Sequence, residues 1–209
     1  MGKRFCGKAC RVKNKREIIQ LPAVGFIRRP GACFLQENVV QWRKEIKRRT
    51  AMIQIRRAVD KDIPRLHELL GQVLQIHAEI RPDIFISGTT KYTDEELREM
   101  IRNEEKPIYV AADEQDVCVG YAFCQLRQQP FSNNMVPFQS LFIDDLCVDE
   151  KMRGQHVGES LFAFVKEEAK RLGCYEVTLN VWEGNTSAEK FYEKMGMKTK
   201  ERQMEYILS

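Results

Sequence analysis

Residues 151–159 read KMRGQHVGE, a segment with two glycines between an apolar run and a helical pattern. The run before it, SLFIDDLCV at residues 140–148, is typical of a strand, and a helical pattern extends from about Val157 to Leu172. A glycine-containing turn before a helix leaves backbone N–H groups free, and the helix dipole adds positive potential there. Such a turn can bind phosphate oxygens, with Arg153 as a forked cation beside it. An ordinary strand-to-helix turn is the alternative.

Apolar patterns elsewhere in the chain predict a mixed α/β sheet with helices packed on both faces. Caps and helical spacing predict a helix that begins at Asp60, a second that begins with the capping box of Thr93 and Glu96 and ends near Glu105, and a short one capped by Asn185. Apolar runs predict the strands, which are residues 52–58, 107–113, 117–128, 139–148, 175–182 and 198–208.

Charge is divided unevenly along the 209 residues. Residues 1–51 carry 14 Lys and Arg against 3 Asp and Glu, whereas the remaining residues carry 20 against 27. We therefore predict a basic N-terminal extension at residues 1–51 and a folded domain at residues 52–209. The extension is interpreted as a passive segment or an annotation artefact with the true start at Met52. A nucleic-acid-binding arm, a targeting segment and a structural role are the alternatives.

The seven cysteines are odd in number and irregularly spaced, which favours a reducing compartment over a disulfide framework. Cys6 and Cys10 have a spacing that a metal could use, but no second pair follows at a zinc-site distance, so we expect no metal site. No apolar run approaches the length of a membrane span, and the N-terminus lacks the apolar segment of a secretory signal. We expect a cytoplasmic protein with no membrane partner, and nucleic acid only through the basic extension.

A second motif follows the run at 175–182, where residues 183–197 read EGNTSAEKFYEKMGM. Together with the turn at 151–159, it resembles the GNAT superfamily of acyl-CoA-dependent N-acetyltransferases. The pyrophosphate loop of that family reads Arg/Gln-x-x-Gly-x-Gly/Ala, and its later motif reads Asn-x-x-Ala-x-x-Phe-Tyr-x-x-x-Gly-Phe. Arg153 and Gly158 match the first motif, although His156 replaces its middle glycine. The second motif is matched by Asn185, Ala188, Phe191, Tyr192 and Gly196, with Met197 in place of Phe.

The resemblance implies both a fold and a coenzyme site. The fold would be a mixed, mostly antiparallel sheet flanked by helices, with splayed central strands that bind acetyl-CoA. The pantetheine arm would pair with the backbone of Leu146, Cys147 and Val148, and the N–H of Leu146 would polarise the thioester carbonyl. Asn185 and Tyr192 would also contact the coenzyme. The pyrophosphate would lie in the turn formed by Arg153, Gly154, Gln155, His156, Val157 and Gly158.

The replacement of the middle glycine by His156 has structural consequences. A residue other than glycine must avoid a positive φ at this position or bear strain. The side chain either points to solvent, so that only its backbone contributes, or adds partial positive charge to the phosphate site.

The implied chemistry needs two proton transfers. Tyr192 would protonate the departing thiolate, unless it is only a packing aromatic. Asp144 would take the proton of the attacking amine, because IDDLCV looks like the corresponding strand of polyamine and aminoglycoside acetyltransferases; a structural or solvent-facing role is the alternative. Adjacent strand residues face opposite ways, so we expect only one of Asp144 and Asp145 in the cleft. Further candidates, where the family builds its acceptor wall, are His77 and Glu79, with Phe85 and Tyr92 nearby; a structural role is the alternative for the histidine.

These interpretations predict an N-acetyltransferase that moves an acetyl group from acetyl-CoA to a primary amine of a small molecule or protein. Attack would be direct within a ternary complex, because nothing in the sequence pairs Cys147 with a base. The net negative charge of the domain favours a cationic acceptor: a polyamine, an aminoglycoside-like antibiotic, a lysine side chain or a protein N-terminus. The alternatives are a non-catalytic CoA-binding sensor or interaction module, and an acetyltransferase tethered to nucleic acid. A homodimer is compatible with the resemblance.

Overall fold

The structure is a computed structural model that describes residues 53–128 and 133–208. These residues all belong to the folded domain that the sequence predicts at residues 52–209. The predicted basic extension at residues 1–51, with Cys6 and Cys10, lies outside the described residues.

The described residues form one sheet of five strands in the order β1-β2-β3-β4-β5. The strands β1 to β4 pair antiparallel, whereas β5 pairs parallel to β4, which confirms the predicted mixed, mostly antiparallel sheet. Their bounds are Gln54–Arg57, Ile108–Ala112, Cys118–Gln128, Gln139–Val148 and Glu176–Leu179. The helices α1 to α4 are Ile63–Ile80, Asp94–Arg102, Val157–Arg171 and Thr186–Lys194.

Helices cover both faces of the sheet, as the apolar patterns predict. On one face, Leu66 and Leu69 of α1 pack with Tyr121 and Phe123 of β3, and all four side chains are buried. On the other face, α3 and α4 cover β3 and β4 with a second core cluster that includes Leu141, Ile143, Phe162 and Val165. Each helix therefore buries one apolar stripe against the sheet, which is the main stabilising contribution in a layered α/β fold.

The sequence predicts three of the four helix starts correctly, near Thr93, Val157 and Asn185, and one wrongly. Thr93 forms the predicted capping box, since its Oγ1 accepts from Glu96 N–H at 3.2 Å while Glu96 Oε2 accepts from Thr93 N–H at 2.7 Å. Asn185 caps α4 through a 3.2 Å hydrogen bond from Ala188 N–H to its Oδ1. Asp60 does not cap α1, because it lies in a short 3-10 turn and α1 begins only at Ile63.

The predicted final strand at residues 198–208 is wrong. No strand is assigned there, and Met204, Tyr206 and Leu208 are all more than 85% exposed. Alternation of apolar residues forms a strand only where a neighbouring edge accepts the backbone, and it cannot specify that edge. The contacts of this tail are instead ionic, from Lys200 to Glu176 and from Glu205 to Arg81.

A close approach of β3 to β4 requires glycine at position 120. A Cβ at Gly120 would lie 2.9 Å from the carbonyl oxygen of Cys147 and 3.2 Å from Leu161 Cδ1. We expect Gly120→Ala to lower the free energy of unfolding by about 1–3 kcal/mol, because backbone must move to relieve the overlap. Urea denaturation would measure the change.

Gly71, in the middle of α1, is a matched control. A Cβ there would meet nothing within 4 Å. Gly71→Ala should therefore raise the free energy of unfolding by roughly 0.5–1 kcal/mol, because alanine loses less backbone entropy in a helix. Equal effects of the two substitutions would contradict the steric argument.

Candidate active site

A β-bulge in β4 places two carboxylates on the same side of the sheet. Phe123 of β3 pairs with Asp145, but the next residue, Cys124, pairs with Ile143, which leaves Asp144 as an extra residue. Asp144 accepts a 2.9 Å hydrogen bond from Lys91, and the positive charge of Lys91 acts on both Asp144 and Asp145. The expectation that adjacent acidic residues face opposite ways is therefore wrong, because strand alternation fails at a bulge.

Asp145 is the more shielded of the two carboxylates. It is half-buried, and its Oδ2 accepts a 3.0 Å hydrogen bond from the hydroxyl of Tyr121, whose side chain is fully buried. Burial raises the pKa of Asp145 to about 6, against the opposing effects of the Lys91 charge, the Tyr121 hydroxyl and the N–H of Leu146. Asp144 is exposed and paired with Lys91. A carboxylate that titrates near pH 6 can accept a proton at neutral pH.

The strands β4 and β5 separate beside these carboxylates. Their pairing ends at Ile143 and Leu179, whereas β4 continues to Val148 in register with β3. The N–H of Asp149 donates to Val119 on the β3 side, so strand alternation turns the N–H groups of Leu146 and Val148 toward the side that β5 leaves. The sheet thus has the predicted splay, and it presents backbone donors with no β5 partner.

The turn from β4 into α3 contains two residues with positive φ. Gly154 has φ +75°, and His156, immediately before α3, adopts the left-handed conformation with φ 62°. His156 therefore bears the strain that the sequence allowed for, and its Nδ1 lies 3.0 Å from Glu159 Oε1. Lys194 also binds Glu159, at 2.6 Å. The imidazole is thus engaged by the first turn of α3 and does not simply point into solvent.

The start of α3 has features that suit a diphosphate. His156 makes no side-chain cap there, so within the described residues the N–H groups of the first turn are open to an anion. A Cβ at Gly158 would make ordinary van der Waals contact, 3.4 Å from the ring of Phe191 on α4. Arg153 lies on the same turn and lines a groove against α1. The residues present therefore fit the pyrophosphate of a coenzyme.

Tyr192 lies on α4 next to Phe191, and both rings pack against Phe162, with centroids at 6.0 Å and 6.5 Å from it. Burial raises the pKa of the Tyr192 hydroxyl well above its ordinary value, and the charge of Asp145 raises it further. Tyr192 consequently stays protonated at neutral pH and can act as a donor.

An aromatic group lies near the end of α1, where the sequence predicts the acceptor wall. His77 is 5.0 Å from Phe85, and Phe85 is 5.3 Å from Trp182, between ring centroids. Burial and the charge of Lys91 both lower the pKa of His77, so the imidazole is neutral at pH 7. Glu79 is exposed and hydrogen-bonded to Gln75, so it does not join this group.

Tyr92 lies apart from this group. Its ring stacks on Phe123 at 5.9 Å, and Lys91 Nζ lies 5.2 Å from its centroid. Sequence reasoning missed Lys91, Tyr121 and Trp182 as site residues. Trp182 alone had a local signal, since it ends the apolar run from which β5 is built.

The described residues show neither a metal-binding cluster nor a membrane-spanning helix. Among them, no three His, Cys, Asp or Glu side chains are grouped so that they could hold a metal ion. None of the helices in that part of the chain is both long and apolar enough to cross a membrane.

The splayed sheet and the glycine-containing turn before α3 together define the fold of an acyltransferase. The acetyltransferase (GNAT) family model matches residues 72–197, which is more than half of the chain. The chain therefore belongs to the GNAT acetyltransferase family.

Two curated relatives are glucosamine 6-phosphate N-acetyltransferases. The Arabidopsis thaliana protein is 39% identical over 62 residues, and the Trypanosoma brucei brucei protein is 40% identical over 65 residues. Each sequence match covers 30% of this chain and 40% of the relative, so by sequence the chain spans well under half of the length of these proteins.

Solved structures match the domain over a longer range. A mutant of the BH1408 protein from Bacillus halodurans is 29% identical with a TM-score of 0.71, and the match covers 75% of this chain and 99% of that one. The glucosamine-6-phosphate N-acetyltransferase of Arabidopsis thaliana is 25% identical with a TM-score of 0.56, over 75% and 99% of the two chains. These matches confirm the predicted family and its fold.

Proposed function

We propose that this chain is an N-acetyltransferase that transfers the acetyl group of acetyl-CoA to a primary amine of a small molecule or protein. The observation that carries the proposal is the splay of β4 from β5, which turns the N–H groups of Leu146 and Val148 toward the gap between the two strands. In the proposed complex, this backbone would bind the electrophile, Asp145 would accept a proton and Tyr192 would donate one. Membership of the GNAT family supports acetyl-CoA as the co-substrate.

The coenzyme would be held by backbone and by one cation. The backbone of Leu146, Cys147 and Val148 would pair with the pantetheine arm as an additional strand would. The diphosphate would lie on the first turn of α3, where helix N–H groups and Arg153 supply positive potential. In this pose the turn contributes Arg153, Gly154, Gln155, His156, Val157 and Gly158. Asn185, which caps α4, would border the same gap.

The reaction is a direct transfer in a ternary complex. Acetyl-CoA supplies an acetyl thioester, whose C–S bond breaks as the C–N bond of the amide forms. Asp145 accepts the proton that the amine loses, and the N–H of Leu146 donates to the oxygen that becomes negatively charged during attack. Tyr192 donates its phenolic proton to the departing sulfur, and the proton taken up by Asp145 is then passed to the Tyr192 phenolate, so both groups regain their starting states.

We assign the base to Asp145 in place of Asp144, for two reasons. Asp144 is exposed and its charge is compensated by Lys91 at 2.9 Å. Asp145 is more shielded and has its pKa raised to about 6 by burial, which brings it near the pH at which it must exchange a proton. Lys91 would then hold Asp144 beside the site without taking part in proton transfer.

Two alternatives receive less support. Cys147 is unsuited to an acyl-enzyme, because its thiol is buried, its pKa is raised to about 12 by burial, and its Sγ lies 3.6 Å from the Leu69 carbonyl oxygen. A non-catalytic CoA-binding module gains no support from relatives that are named as enzymes. Those names make glucosamine 6-phosphate an acceptor to test beside cationic amines.

Calorimetric titration of acetyl-CoA into the full chain tests the coenzyme site. We expect Arg153→Ala to weaken binding about 10-fold or more, because a hydrogen bond to a charged group contributes roughly 1.5–3 kcal/mol. Arg98→Ala is the matched control, since Arg98 lies on α2 and pairs with Asp94 and Glu95 at the surface. Thiol release would then be measured with glucosamine 6-phosphate, spermidine, an aminoglycoside and a lysine peptide. A folded wild-type chain that bound no acetyl-CoA would overturn the proposal.

A further inference from the structure

Helix α1 contacts the start of the phosphate-binding turn at two points that belong to neither sequence motif. Arg65 Nη2 donates to Asp149 Oδ2 at 2.5 Å, and Gln72 Oε1 accepts from the N–H of Glu150 at 3.2 Å. Arg65 and Gln72 are two helical turns apart on α1, so they present the same side of the helix to the turn. Both contacts cross more than seventy residues of chain.

Asp149 joins three parts of the molecule through one residue. It is only 6% exposed, its N–H donates to Val119 on β3 at 2.9 Å, and its Oδ1 accepts from Lys151 N–H at 3.0 Å. Burial disfavours its charge, but the Lys151 N–H and Arg65 more than offset this and lower its pKa. The carboxylate is therefore ionised and held by hydrogen bonds at the point where β4 ends and the turn begins.

Beyond these two contacts, α1 and the turn are separated by a groove of about 420 Å³. Gly71 and Ile76 of α1 line it on one side, and Glu150 and Arg153 line it on the other. The turn also contains the two positive-φ residues, Gly154 and His156, between a short 3-10 turn at Glu150–Met152 and the start of α3. The Arg65 and Gln72 contacts join the base of the turn to α1 across this groove.

We propose that Arg65, Gln72 and Asp149 are positioning residues for the coenzyme diphosphate. They fix the base of the turn against α1 and the end of β4, and so aim the open N–H groups of α3 at the diphosphate. A displacement of the turn would misalign those donors without altering Asp145 or Tyr192. The inference rests on the proposed function, because it requires that the turn binds the diphosphate of CoA.

The test compares CoA with pantetheine, which has the same thiol arm but no diphosphate. We expect Gln72→Met and Arg65→Met to weaken CoA binding about 3- to 10-fold, the loss that one or two hydrogen bonds would produce. Pantetheine affinity, measured by NMR titration at millimolar ligand, should stay at the wild-type value. Gln75→Met is the matched control, since Gln75 lines the same groove from the same helix but bonds Glu79 and Ser87 and makes no contact with the turn that the structure records. It should change neither affinity.

Thermal unfolding shows whether a variant loses CoA affinity only because its fold is destabilised. Arg65→Met leaves the buried Asp149 carboxylate without its cation and should lower the unfolding midpoint, whereas Gln72→Met removes one partly exposed contact and should not. Equal losses for CoA and pantetheine, or unchanged CoA affinity in both variants, would overturn the inference. If the wild-type chain bound no CoA, that result would instead overturn both the proposed function and the inference.

Discussion

Asp145→Asn is expected to lower kcat by about 10²- to 10³-fold, the range that loss of a general base produces. The amide of asparagine can still accept the hydrogen bond from Tyr121, so the local structure should persist. It cannot accept a proton from the attacking amine. Initial rates of thiol release at saturating acetyl-CoA and acceptor would give the change.

The pH dependence of kcat/KM provides a second test of Asp145 as the base. Because the base must be ionised, kcat/KM of the wild-type chain should fall as pH drops below about 6, the pKa to which burial raises Asp145. The asparagine variant should lack this acidic limb. Its residual rate should depend on pH only through the acceptor amine.

Stability offers an independent check on Asp145. Its folded pKa lies above the unfolded value, so the fold disfavours its charged form, and stability falls as pH rises from the unfolded pKa toward about 6. A neutral asparagine removes that effect, so the unfolding midpoint at pH 7 should be no lower than that of the wild type. Asp144→Asn is the matched control, and a larger loss of kcat there than in Asp145→Asn would transfer the base to Asp144.

Tyr192→Phe is expected to lower kcat by about 10²-fold, at the low end of the range for general acid catalysis. The substitution removes one hydroxyl and keeps the ring that packs against Phe162 and Phe191. CoA affinity should therefore change little, and the loss should appear in kcat. Tyr206→Phe, on the exposed tail, is the control and should have no effect.

The hydroxyl of Tyr192 should contribute no alkaline limb to the wild-type profile below pH 10. Burial and the charge of Asp145 both raise its pKa, so it remains a donor throughout this range. If Tyr192→Phe weakened CoA binding and left kcat intact, the residue would be a packing aromatic that shapes the coenzyme site.

The parts of the site that sequence predicts are those that depend on neighbouring residues in the chain. The end of β4, the turn and the start of α3 form one continuous segment, and their strand, glycine and helix signals are local. The caps at Thr93 and Asn185 are local too, since each bonds an N–H three residues away. Hydrogen bonds between residues that are close in the chain can therefore be predicted from local sequence patterns.

The parts that sequence misses depend on distant partners. The bulge at Asp144 exists because of how β3 pairs with β4, and Lys91 reaches Asp144 from a loop 53 residues away. The requirement for Gly120 comes from a carbonyl on β4 and a side chain on α3. The tail at residues 198–208 fails in the opposite way, because its alternation is clear but no edge in the described part of the chain accepts it.

The bulge in β4 changes which face of the sheet the odd-numbered side chains of the strand point to. Before it, Leu141 and Ile143 face α3 and α4; after it, Asp145 and Cys147 face α1. One extra residue thus lets the odd-numbered side chains of β4 pack into one core before the bulge and into the other core after it. If β4 instead paired without the bulge, with Asp144 opposite Phe123, Asp145 would turn toward the other layer and every N–H from Leu146 onward would reverse its direction. At this position the register of β4 with β3, more than the identity of any side chain, determines whether a catalytic site can form.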